Sequence, residues 1–320
     1  MSQLWEPSKK RAVDSRLLEF ASTAEPLFNI ELLDYDSIHE WSTDSPEEFW
    51  RHAWSYLGLI GDMGDNVLAR GGNLQDAVFF PNATINIGEN LLKKSDQTKA
   101  IIWVDEIGNT SELTWGELND QVSLLQQALL DLGVEKGDCV AAWLPNRPET
   151  ISVMIAAASI GAVFTSTSPD FGVKGLLDRF TQVEPKVLFV TDGYFYGGKW
   201  FSCLEKLGDI ESGLPSVRET IVVPYPSHEN SSIDSSRGLW EDFLKPFSPK
   251  PIWYPRHSFN HPWYVLYSSG TTGKPKCILH RSGGVLLKHL VEHGLQCDVK
   301  PGDRVFYYTT TGWMMWNWLV

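Results

Sequence analysis

A chain of 320 residues, 42% hydrophobic and 21% charged, is long enough for about two domains and excludes disordered and collagen-like classes. A formal net charge of −13 argues against a nucleic-acid partner, because binding a phosphate backbone needs a basic surface. Four dispersed cysteines, Cys139, Cys203, Cys277 and Cys297, suggest neither a disulfide framework nor a zinc ribbon. Residues 1–18 lack the apolar core of a signal peptide, and Glu6 and Asp14 argue against a mitochondrial presequence. The longest apolar stretch, 151–164, contains two serines and a glycine and is too short to span a bilayer. A cytoplasmic (cytosolic) location is expected, and the sequons at Asn82, Asn109 and Asn230 count as chance matches.

In chain order, Ser45-Pro46-Glu47-Glu48 has the form of a capping box with proline at the first helical position. Phe49, Trp50, Ala53, Trp54 and Leu57 recur at helical spacing up to Gly58, predicting an aromatic helix that needs a partner surface. The stretch around Gly71 and Gly72 reads as a linker. Thr114-Trp115-Gly116-Glu117 is a second capping box, and its helix presents Leu118, Val122, Leu125, Leu129 and Leu132 before closing at Gly133. A buried strand is expected at 139–144, a helix at 149–160, a strand at 162–166, a helix at 176–183, and strands at 187–190 and 220–223. Residues 227–237 read as a polar loop. Short apolar runs alternating with helical segments predict an α/β fold of parallel, doubly wound sheets flanked by helices, with ligands at the carboxyl ends of the strands.

The densest chemical signal is a strand at 264–267 running into Ser268-Ser269-Gly270-Thr271-Thr272-Gly273-Lys274-Pro275-Lys276. Glycines let successive N–H groups face one point, hydroxyls add neutral donors, and lysines add charge, which together suit a polyphosphate. The spacing is not that of a Walker A loop, and from composition alone a solvated hairpin fits equally well. His289-Leu290-Val291-Glu292-His293 has the inverted zinc-peptidase form H-x-x-E-H. A zinc site would need a further ligand, for which the short stretch after His293 offers Asp298 and Asp303, and no metal site is assigned.

The run from Tyr267 to His280 resembles the phosphate-loop signature of adenylate-forming enzymes, the family of acyl-CoA synthetases, luciferases and peptide-synthetase adenylation domains. Leu113 through Leu118, Gly137-Asp138 with Leu144-Pro145-Asn146 and Glu149, and Gly161-Ala162-Val163 with Ser168-Pro169 resemble further blocks of that family in the right order. The aromatic N-terminal region is similar to the extension of acetyl-CoA synthetase relatives. Ser166 through Gly172, Asp178-Arg179-Phe180 and Thr311 through Trp318 resemble most the branch that activates acetoacetate. Met314 and Met315 follow Trp313 where acetate-activating relatives carry a small residue and a threonine, which suits a reshaped acyl pocket.

The resemblance implies ATP-dependent ligation of acetoacetate to CoA through an acetoacetyl-AMP intermediate, with Mg2+ neutralising charge and AMP and pyrophosphate released. It implies ATP phosphate binding by Ser268, Ser269, Gly270, Thr271, Thr272, Gly273, Lys274 and Lys276. Phe171, Gly172, Gly198 and Lys199 would meet CoA, and Trp313, Met314 and Met315 would line the acyl pocket. Residues 1–86 would form a helical extension of the acetyl-CoA synthetase type, and residues 87–320 an AMP-binding domain that stops early. By the same resemblance, residues 1–320 would lack the family's C-terminal lid domain with its catalytic lysine, so no catalytic residue is assigned. The chain is expected to be a fragment that aggregates or needs a partner and shows no ligation alone. Its partners would be small molecules, with no nucleic acid and no membrane span, and the sequence sets no oligomeric state. Two alternatives stay open: another short-chain acyl-CoA synthetase, for acetate or propionate, and an inactive ATP-binding remnant acting as an interaction module.

Overall fold

Helices rich in aromatic residues hide them only by packing on one another, and the N-terminal region is built that way. In this computed structural model the described residues are 5–69, 74–226, 238–268 and 273–320; the expected linker around Gly71 and Gly72 and the polar loop 227–237 lie outside them. The chain divides into two compact units, residues 1–85 with 258–260 and 282–305, and residues 86–257 with 261–281 and 306–320. In the first unit, α1 (Arg16–Phe28), α2 (Tyr35–Asp44) and α3 (Pro46–Tyr56) enclose Phe20, whose ring lies 5.6 Å from Phe49, 4.6 Å from His52 and 5.3 Å from Tyr56. Trp54 packs on Phe80 and Phe259. The aromatic helix therefore has the partner surface that its pattern requires.

The capping box expected at Ser45 does not form. Ser45 ends α2 and begins α3 at once: its N–H donates to the Trp41 carbonyl while its own carbonyl accepts from Glu48 and Phe49. With ψ at 57° rather than extended, its hydroxyl makes no cap bond. The Glu48 carboxylate accepts instead from Trp41 Nε1 at 3.3 Å. Later in this unit, helix Ser282–Val291 runs into a π-helical turn, Glu292–Gln296, and Glu292 of the H-x-x-E-H run pairs with Lys288 at 2.9 Å.

In the second unit a short helix, Ile87–Leu91, precedes a hairpin of β1 (Lys99–Val104) and β2 (Thr110–Thr114), which is followed by α4 (Trp115–Asp131). Here the second capping box is complete: Thr114 Oγ1 accepts from the Glu117 N–H, and the Glu117 carboxylate accepts from the Thr114 N–H. Next, β3 (Cys139–Trp143), α5 (Pro148–Ile160), β4 (Val163–Thr167), α6 (Val173–Phe180) and β5 (Val187–Thr191) alternate as the apolar runs predict. Only α6 is displaced, starting at Val173, because its first turn carries no apolar repeat and includes Gly175. A second hairpin, β6 (Gly193–Tyr196) and β7 (Lys199–Ser202), leads to α7 (Leu204–Gly213), β8 (Glu219–Val223), β9 (Gly238–Leu239), β10 (Pro262–Ser268) and β11 (Lys276–Arg281).

The main sheet has the order β9-β8-β5-β3-β4-β10-β11. Every neighbour in it is parallel except β10 with β11. That antiparallel edge departs from the all-parallel expectation for a physical reason: residues 269–275 are too few for a parallel crossover, which takes a dozen residues or more. Strands β3, β4 and β5 are buried along their whole length. On one face, Trp143, Leu188, Val190 and Val222 pack with Leu176 and Phe180 of α6 and Leu207 and Ile210 of α7. On the other, Phe189 meets Trp240 and Phe243. Between β4 and β10 the chain departs in opposite directions, from β4 to β5 and from β10 to β11, and such a switch point opens a crevice at the carboxyl ends. All four cysteines are free thiols, and among the described residues no helix is long and apolar enough to cross a membrane.

Candidate functional site

β10 delivers the chain to the switch point. Its last residue, Ser268, pairs across the hairpin with Lys276. Ser269, Gly270, Thr271 and Thr272 lie outside the described residues. Gly273 has φ 97°, and Lys274 and Lys276 are exposed. The Pro275 carbonyl accepts from Gln182 Nε2 at 3.0 Å, which fixes the closing end of the loop. A hydrogen bond from Lys174, at 2.5 Å, holds the Asp178 carboxyl below its usual range, and Lys274 adds a further attraction. Just before the loop, burial pushes the Tyr267 phenol well above its usual range, and its oxygen lies 2.9 Å from Thr165 Oγ1.

Arg179 links this strand end to the next. Its guanidinium sits 4.2 Å over the Phe171 ring and 5.9 Å from that of Tyr267. Phe171 and the exposed Gly172 follow the end of β4, and a Cβ built on Gly312 would lie 3.5 Å from the Phe171 ring and 3.4 Å from the Ser168 nitrogen. The segment around Gly312 is stitched down from both sides. Ser166 Oγ donates to the Thr311 carbonyl at 2.5 Å, and Thr311 Oγ1 donates to the Leu144 carbonyl at 2.8 Å. Trp316, on the short helix α8 (Met314–Leu319), is fully buried, and its Nε1 donates to Asn146 Oδ1 at 2.9 Å. Trp313 and Met314 are exposed, at 59% and 58%, and Met315 is half-buried. The structure thus brings Tyr267, Arg179, Phe171 and the Gly312 segment, which leads into Trp313–Met315, together at the ends of β4 and β10.

Gly198 and Lys199 sit elsewhere in the same unit, at the tip of the β6–β7 hairpin. There the Gly197 and Gly198 N–H groups donate to the Glu106 carboxylate at 3.1 and 2.9 Å.

Several polar groups near the strand ends have no role assigned from the sequence. Thr167 Oγ1, Thr309 Oγ1 and both amide atoms of Asn317 are buried without a hydrogen-bond partner, a state that polar groups tolerate when a ligand or water completes them. Asp192, after β5, is 1% exposed; burial raises its pKa, and its Oδ1 accepts from the Gly193 and Tyr225 N–H groups at 2.9 and 2.8 Å. Arg147 is also buried, paired with Glu149 at 2.7 Å and donating to the Pro224 carbonyl at 2.9 Å. Its place beside Asn146 and Glu149 in one sequence block was the only local signal for it.

A family model described as AMP-binding enzyme matches residues 89–319. Acetoacetyl-coenzyme A synthetase of Rhizobium meliloti (strain 1021) is 43% identical over 99% of this chain and 49% of its own length. Acetoacetyl-CoA synthetase of Gallus gallus is 38% identical, again over 99% and 49%. A malonamoyl-CoA synthetase of Penicillium aethiopicum is 34% identical over 99% of this chain and 46% of its own. The solved acetoacetyl-CoA synthetase from Streptomyces lividans superposes with a TM-score of 0.93 at 38% identity, covering 100% of this chain and 49% of that one. The chain spans about half the length of the curated relatives it matches.

Proposed function

The chain belongs to the family of AMP-binding enzymes, and from that membership we propose that it is the nucleotide- and acid-binding part of an acetoacetate–CoA ligase. In this reading the carboxylate of acetoacetate attacks the α-phosphorus of ATP, displacing pyrophosphate and forming acetoacetyl-AMP. The thiol of CoA then attacks the acyl carbonyl, and AMP leaves. No covalent bond to the protein is needed, so the work of this chain is positioning and electrostatic stabilisation.

The loop after Ser268, with Lys274 and Lys276, would hold the β- and γ-phosphates. Mg2+ would enter with those phosphates, since it binds through substrate phosphates and few protein carboxylates. Trp313, Met314 and Met315 would meet the acyl group; Phe171, Gly172, Gly198 and Lys199 would meet CoA. Residues 1–86 would be the helical extension and 87–320 the AMP-binding domain, in the cytosol.

The observation that carries this reading is the meeting of the β10 exit with the Gly312 segment across the ends of β4, because adenylation requires the acid and the triphosphate side by side. The relatives' names support the acid. Acetoacetate and malonamate both place a carbonyl on the β-carbon, which simple acetate and propionate lack. Acid-dependent ATP–pyrophosphate exchange, measured in a full-length context, tests the proposal. Exchange with acetoacetate well above that with acetate or propionate is expected. Equal or faster exchange with acetate would overturn the acid assignment, and ATP binding without exchange for any acid would favour a non-catalytic nucleotide-binding module.

A further inference from the structure

Two hairpin tips distant in sequence are joined by one carboxylate. The β6–β7 turn has two central residues, Gly197 at φ 58° and Gly198 at φ 73°, both in the left-handed region that a type I′ turn requires. The bond that closes such a turn runs between its flanking residues, so the two central N–H groups are left to face one outside acceptor. That acceptor is Glu106, which takes the Gly197 N–H on Oε2 at 3.1 Å and the Gly198 N–H on Oε1 at 2.9 Å.

Glu106 stands at the tip of the β1–β2 hairpin, and its neighbour Asp105 fixes that tip. Asp105 accepts from the Ile107 and Asn109 N–H groups and from the Tyr225 hydroxyl at 2.9 Å. Glu106 is exposed, as are Gly197, Gly198 and Lys199. Water competes for an exposed carboxylate, so the clasp holds it weakly. A phosphate brings more charge and more acceptor oxygens to the same two N–H groups, with Lys199 beside them.

We infer that Glu106 is a displaceable stand-in for a phosphate: it fills the Gly197–Gly198 receptor until the 3′-phosphate at the nucleotide end of CoA takes its place, and it thereby sets the affinity for CoA. This rests on the proposal that Gly198 and Lys199 bind CoA. A receptor filled by its own side chain is competent for only part of the time, and the apparent affinity falls by that fraction.

The test is calorimetric titration of the chain with CoA and with 3′-dephospho-CoA, comparing the native sequence with Glu106→Gln, Glu106→Ala and Lys199→Ala. Glu106→Gln and Glu106→Ala should tighten CoA binding by about tenfold if the receptor is open roughly a tenth of the time. Binding of dephospho-CoA should not change, and Lys199→Ala should weaken CoA alone. Unchanged or weaker CoA binding in both Glu106 variants, with Lys199→Ala still harmful, would overturn the stand-in and leave Glu106 as a latch between hairpins. If neither Lys199→Ala nor removal of the 3′-phosphate alters affinity, the CoA assignment itself falls and the inference with it.

Discussion

The ends of β3 and β4 and the tip of the β6–β7 hairpin both carry residues assigned to ligands, yet the fold holds them in opposite ways. At the strand ends two fastenings are buried, Ser166 to Thr311 and Thr311 to Leu144, and a third runs from the buried indole of Trp316 to the exposed Asn146. At the hairpin tip the fastening is an exposed carboxylate on two backbone N–H groups. A buried hydrogen bond has no water to replace it, so losing one partner strands the other. An exposed bond trades partners at little cost. The first arrangement sets a geometry, and the second leaves a receptor open to exchange.

The sharpest way to break this comparison is Trp316→Ala. Removing a fully buried indole should cost about 3–5 kcal/mol in denaturant unfolding, and a loss below about 1 kcal/mol would mean that α8 does not hold the crevice. Acid should act next, and on the interior only. Burial, helped by neighbouring His261, lowers the pKa of His257 to about 4. As pH falls below the ordinary 6.5, the unfolded chain takes up the proton first, so stability is full above 6.5 and is lost toward pH 4. That loss should be roughly 3 kcal/mol, and His257→Gln should flatten it in unfolding curves taken across the window.

Thr311→Val keeps the shape of the side chain but leaves the Leu144 carbonyl without its donor. It should cost about 1–2 kcal/mol by the same measurement. The smallest effect belongs to the tip: Glu106→Gln should leave the unfolding midpoint unmoved, and a clear destabilisation would show that the tip is fastened as firmly as the strand ends.

Much of the sheet is legible in the sequence because parallel strands buried on both faces read as unbroken apolar runs, as Cys139–Trp143 and Val187–Thr191 do. The cap at Thr114 is legible because both its partners lie three residues apart. The same signature fails at Ser45, since a residue shared by two helices cannot serve both with one backbone geometry. Helix α1 goes unread: Ser22, Thr23 and Pro26 interrupt its pattern, and only the packing around Phe20 reveals its buried face. The antiparallel edge could have been read from the length of the loop between β10 and β11.

The candidate site divides along the same line. Ser268 through Lys276 and Trp313 through Met315 are contiguous, so their resemblance to family blocks can be read before any fold is known. Thr167, Asn317 and Arg147 lie within family-like blocks, but that their polar atoms are buried follows only from what the fold places around them. The pairing of Glu106 with Gly197 and Gly198 joins two separate hairpins, and neither tip alone suggests the other.

The proposed function rests most directly on the exit of β10, where exposed Lys274 and its neighbours would hold the phosphates of ATP. Equilibrium titration of ATP against the native chain and Lys274→Ala measures that claim without requiring turnover. Losing a hydrogen bond to a charged group should cost about 1.5–3 kcal/mol, weakening ATP binding on the order of ten- to a hundredfold while leaving the unfolding curve in place. Equal ATP affinity in the two proteins would contradict the account.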